Sequence, residues 1–156
     1  MGYKASNPKD SVGVRKVPLH VVSSFVLMEM ALGMMEGGRK YGAHNYRVAG
    51  VRASVYYDAA MRHLMAFWEG EDLDKDSGLS HITKALSCLS VLRDSMHVGN
   101  WVDDRPPRLE DGWVSTMNEK AGAIIDKYPN GVPAFTEVSL HEVSSMSGVD
   151  ESPRNP

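Results

Sequence analysis

Residues 19–36, LHVVSSFVLMEMALGMME, constrain the fold of this chain more than any other stretch. Apolar side chains fall at nearly every position, so a helix here carries them on all sides instead of along one face. Such a helix needs cover over most of its surface. It starts near Pro18, and the pair Gly37 and Gly38 is expected to end it. A small single bundle offers too little core to enclose it. Burial against further copies of the chain is therefore expected, as a homodimer or homotetramer with a closed symmetric interface. The stretch falls short of the ~20 uncharged apolar residues that a membrane span requires, so no membrane association is expected.

Helical periodicity recurs three more times, from Val51 to Trp68, from Leu79 to His97 and from Gly112 to Lys127. The fold class is all-α: a bundle of four main helices that oligomerises through its apolar helices. Residues 1–17 read as a flexible N-terminal arm, 18–130 as the helical catalytic domain and 131–156 as an irregular C-terminal tail rich in Ser, Pro and charge. Seventeen basic and twenty acidic residues give a net charge of −3, without the broad positive field that a nucleic-acid polymer selects. One cysteine, Cys88, excludes an internal disulfide, and the N-terminus lacks a signal-peptide core, so a cytoplasmic protein is expected. The ten methionines read as core filling.

The segment EGEDLDKDSGLSH, residues 69–81, gathers five carboxylates before a histidine. As a calcium loop starting at Asp72 it fails, because Ser77 stands where a glycine is needed and Thr83 where a bidentate glutamate is needed. Asp76, Ser77 and Gly78 can instead cap the third helix. That leaves Glu69, Glu71, Asp72 and Asp74 clustered, and like charges repel unless a cation sits among them.

Glu29 lies inside the apolar helix, where an unpaired carboxylate is costly, and Arg62 is the candidate partner. Glu36, seven residues on, falls within about 20° of it on the same face. If the first two long helices form an antiparallel hairpin, Glu36 faces the opening turns of the second, where Asp58 sits beside the stripe of Arg62 and the neighbouring His63. Facing carboxylates suit a hard divalent cation, Mg²⁺ or Mn²⁺. Between these helices, RKYGAHNYR concentrates Arg39, Lys40, His44 and Arg47 beside Tyr41, Asn45 and Tyr46, a set able to clamp phosphates and meet a base.

Together, EGGRKYGAHNYR, YYDAAMRHLMAFWEGEDLD and SGLSH resemble the phage-encoded dATP/dGTP diphosphohydrolase family, which groups with the MazG-like all-α nucleotide pyrophosphohydrolases. The resemblance runs from about Glu29 to Arg108. It implies metal-dependent cleavage of a purine deoxynucleoside triphosphate, dGTP or dATP, to the monophosphate and pyrophosphate within a helical oligomer. The wider group takes its ligands from E-x-x-E and E-x-x-D patterns; here Glu29 and Glu36 are seven apart, and the literal E-x-x-D, Glu71 to Asp74, follows the second helix. The expected metal ligands are Glu29, Glu36, Asp58, Glu71 and Asp74. Glu36 and His63 are the expected catalytic groups, and Lys40, Tyr41, Asn45, Tyr46, Arg47, Arg62 and His81 are expected to bind substrate. Two rivals stand beside this reading. One is a non-catalytic helical oligomer; the other is an HD-like phosphohydrolase built on His63 and His81, for which the His-Asp dipeptide is missing.

Overall fold

A computed structural model describes residues 7–140. Its long helices are α2 (Ser24–Tyr41), α4 (Ala53–Trp68), α5 (His81–His97) and α6 (Trp113–Lys127), with short helices α1 (Pro8–Gly13) and α3 (Asn45–Ala49). The fold is all-α, as the periodicity predicts. Two residues of β1 (Val51–Arg52) pair in parallel with β2 (Trp101–Val102), Val51 opposite Trp101. The chain divides into two compact units, residues 1–106 and 107–156, the second containing α6. No described helix is long and apolar enough to cross a membrane. Most of the expected tail, residues 141–156, lies outside the described residues, as do residues 1–6 of the expected arm.

Within the first unit α5 is the central element. Both α4 and α2 pack along it, while α2 and α4 scarcely touch each other. The expected hairpin of the first two long helices is thus replaced by two helices leaning on a third. The approach of α2 to α5 depends on Gly33, which is buried: a Cβ there would stand 2.3 Å from Ser87 Oγ and 3.3 Å from Ser87 Cβ. Of α2, the stripe of Glu29, Gly33 and Glu36 faces inward. Its apolar neighbours remain open, with Phe25 69%, Met28 68% and Met35 59% exposed, so one chain does not bury this helix on most sides.

Gly37 and Gly38 do not end α2, which continues to Tyr41 and stops at Gly42 with φ +91°. Interior glycines cost about 1 kcal/mol each relative to Ala, and the Glu36–Lys40 ion pair one turn apart spans them. The left-handed backbone at Gly42 is the stronger terminator.

The loop after α2 is fixed from the far end of α5. Arg47 grips Asp94 through Nε at 2.6 Å and a second nitrogen at 2.9 Å, and Asn100 Nδ2 donates to the carbonyls of Arg47 and Val48. Asp104 accepts from the Ser54 amide at 2.9 Å, covering the start of α4. These ties hold α3 and the Tyr41–Tyr46 loop over α5.

Candidate active site

The acidic segment between α4 and α5 folds back on itself. Leu73 bridges Ser80 in antiparallel fashion, the Asp74 amide donates to Leu79 O at 2.9 Å, and the His81 amide donates to Asp72 O at 3.0 Å. Ser80, not the expected Asp76–Gly78 group, caps α5, its hydroxyl accepting from the Ile82 amide. Asp74 turns inward, and its Oδ2 accepts from the Ser77 amide at 3.0 Å and the Ser77 hydroxyl at 2.6 Å. These bonds, the hydroxyl's foremost, hold the Asp74 carboxyl below its ordinary range.

Closing this loop carries Asp74 to two histidines on facing helices. His63 Nδ1 on α4 lies 2.8 Å from His81 Nδ1 on α5, and ligand atoms of His63, Asp74 and His81 all lie within 4.8 Å of one another. His81 is 5% exposed, and its Nε2 is buried without a hydrogen-bond partner. Glu71 Oε1 stands 3.8 Å from that Nε2. Burial pushes the His63 pKa down, which favours the neutral imidazole that a metal needs.

On the same helix α5, beyond the triad, a cleft of about 380 Å³ opens between α2, α3, α4 and α5. Its walls include Glu36, Lys40, Tyr41, Asn45, Tyr46 and Lys84. Glu36 accepts from Lys40 Nζ at 2.6 Å and from Lys84 Nζ, and Lys40 also reaches Asp76 at 2.9 Å. These two ammonium groups, Lys40 foremost, hold the Glu36 carboxyl below its ordinary range, and the two acids hold the Lys40 ammonium well above its own.

The family profile described as dATP/dGTP diphosphohydrolase, N-terminal, matches residues 6–105. The chain belongs to this family. The matched span contains the triad, the cleft and the loop between α4 and α5, so the diphosphohydrolase N-terminal domain holds every group described above. No curated protein and no solved structure matches the chain.

The domain sorts the expected site residues into three places. Asp74, His63 and His81 converge, with Glu71 behind His81. Lys40, Tyr41, Asn45, Tyr46 and Glu36 line the cleft. Glu29, Asp58, Arg62 and Arg47 join neither group. Glu29 accepts from the Thr83 hydroxyl at 3.0 Å instead of pairing with Arg62. Asp58 is exposed on α4, away from the facing position that a hairpin would give it, and Arg62 is exposed too. Arg47 is committed to Asp94.

Three contributors escaped the sequence reading. Lys84 lies one turn beyond His81 on α5, a spacing that puts both on one side of the helix; Tyr56 walls the cleft from α4; Ser77 orients Asp74. Only the His81–Lys84 spacing is a signal that periodicity could have raised.

The triad suits a divalent cation. If both Nδ1 atoms face a metal, each Nε2 carries its proton, and Glu71 Oε1, 3.8 Å from His81 Nε2, is the nearby carboxylate that could close on that N–H. Without a metal, one of the two Nδ1 atoms donates to the other, and His81 Nε2 stays unpaired in either tautomer.

Proposed function

We propose that this domain hydrolyses a purine deoxynucleoside triphosphate, dGTP or dATP, to the monophosphate and pyrophosphate, using a divalent cation held by His63, Asp74 and His81. The observation that supports it most directly is the convergence of two imidazoles and a carboxylate next to a cleft walled by lysines, tyrosines and an asparagine, in a chain of this family. Imidazole donors favour Mn²⁺ over Mg²⁺ as the occupant, because Mg²⁺ prefers oxygen ligands throughout. When bound, the cation neutralises charge on phosphate oxygens and acidifies an attacking water.

The chain's own residues supply the rest. Tyr41, which is exposed, offers a ring face to a purine, and Asn45 offers a paired donor and acceptor to its edge, while the buried Tyr46 forms part of the cleft wall. Lys40 offsets charge that grows on the leaving pyrophosphate as the bond between the α-phosphorus and its bridging oxygen breaks. Glu71 stands 3.8 Å from the His81 ring nitrogen, and Ser77 fixes Asp74. Glu36, already carrying two lysines, serves the charge balance of the cleft in place of the metal role expected for it.

The exposed stripe of Phe25, Met28, Leu32 and Met35 on α2 lies roughly a quarter turn from the stripe that meets α5. We assign it to a second copy of the chain, consistent with a homo-oligomeric enzyme. The HD-like reading keeps one observation in its favour, the meeting of His63 and His81. Products decide between them. Incubation with each dNTP and Mn²⁺ or Mg²⁺, followed by chromatography, should give monophosphate plus pyrophosphate, abolished by a chelator. Nucleoside plus triphosphate would favour the HD-like chemistry, and full turnover in excess chelator would remove the metal.

A further inference from the structure

We propose that Lys84 and Lys40 form a binding site for a phosphoric anhydride, the pyrophosphate part of substrate or product, and that Glu36 occupies this site until the anion displaces it. The proposal rests on the hydrolase reading for its biological ligand, but the site is argued from its own geometry. Lys40 and Lys84 approach opposite oxygens of one carboxylate, Lys40 to Oε1 and Lys84 to Oε2. A carboxylate bridging two ammonium groups occupies the place of a phosphate with two non-bridging oxygens.

Both inner members are removed from water: the side chains of Lys84 and Glu36 are 18% and 19% exposed. A lone pair of lysines there would repel and be costly to desolvate, so the empty site needs an internal anion. Glu36 supplies it. The outer lysine, Lys40, is 45% exposed and shared with Asp76, so its end of the site opens to solvent. An incoming anhydride can take Lys40 first and Lys84 second.

Position adds a second argument. Lys84 walls the cleft and lies one turn beyond His81 on α5, so one face of this helix carries both a cleft ammonium and a triad imidazole. Gly33 sets the separation, because the close approach of α2 to α5 brings Glu36 onto Lys84.

A competitor and a ligand-binding group respond oppositely to removal. Titration calorimetry with inorganic pyrophosphate, on the metal-free protein in chelator, reads the site without turnover or metal. Lys84→Gln should weaken pyrophosphate binding by about tenfold, the loss of one charged contact, and Lys84→Arg should restore most of it. Glu36→Gln should tighten binding several-fold. Lys40→Gln, at the more exposed position, should weaken it and guards against a folding defect in the Lys84 variants. Unchanged binding in both Lys→Gln variants, or weaker binding in Glu36→Gln, overturns the proposal. Opposite signs in a protein that cleaves no dNTP would keep the anion site and discard the hydrolase reading; dNTP cleavage without opposite signs would do the reverse.

Discussion

Glu36 illustrates how a residue's neighbours reverse the meaning of its charge. Opposite Asp58 it would be a repulsive site waiting for metal, and neutralising it would stabilise the chain. Between Lys40 and Lys84 it is the shared partner of two cations. Glu36→Gln should therefore cost about 1–2 kcal/mol near neutral pH, typical of lost hydrogen bonds to a charged group. The pH dependence has a definite sign. The folded-state pKa of Glu36 is lowered from the ordinary 4.5, so the folded state binds its proton less readily than the unfolded chain does. The stabilisation is complete above about pH 4.5 and drains away as pH falls through the lowered value. In thermal melts the gap between wild type and Glu36→Gln should be full at pH 7 and shrink below pH 4.5; a gap constant down to pH 3 would assign the cost to packing instead.

Among the elements, α2 carries three interior glycines, two of which, Gly33 and Gly37, have opposite duties. At Gly33 an added methyl collides with Ser87, so Gly33→Ala should destabilise by about 1–3 kcal/mol, the usual cost of overpacking. At Gly37 nothing lies within 4 Å, so Gly37→Ala should stabilise by up to about 1 kcal/mol through helix propensity alone. Adding Ser87→Gly to Gly33→Ala removes both the clashing hydroxyl and its Cβ. Denaturant unfolding of the four variants checks this: the double variant should recover stability beyond the sum of its parts, and additivity would show that α2 and α5 can simply move apart. The same contact holds Glu36 onto Lys84, so an element-scale spacing sets a residue-scale charge network.

At the scale of the whole molecule, the core among the described residues is sparse. Among the described residues the buried apolar ones are Tyr46, Val51, Ala53, Ala60 and Ala85, mostly small, while Phe25, Met28, Leu32 and Met35 face outward along one stripe of α2. A core of that size leaves a large hydrophobic contribution unused, which association with a second copy would recover. Sedimentation at low micromolar concentration should show an oligomer, and Met28→Lys with Leu32→Lys should shift it to monomer. A wild-type monomer that is folded and soluble at that concentration would refute burial of the stripe by a second copy.

The sequence by itself determined the helices, because a 3.6-residue period is a local property: α4, α5 and α6 begin within two residues of where the pattern places them. Part of the cleft was legible too, since Lys40, Tyr41, Asn45 and Tyr46 fall within seven consecutive positions, whereas Tyr56 and Lys84 come from elsewhere in the chain. The end of α2 was less legible, because the weak penalty on Gly37 and Gly38 yields to neighbouring interactions. Which acids converge was decided by tertiary structure alone. Periodicity says which residues share a face, but not which helix that face meets, and placing α5 between α2 and α4 separated Glu36 from Asp58 and gave it Lys84. His63 and His81 are eighteen positions apart on different helices, and only the packing of α4 on α5, with the loop closed between them, brings their rings and Asp74 together.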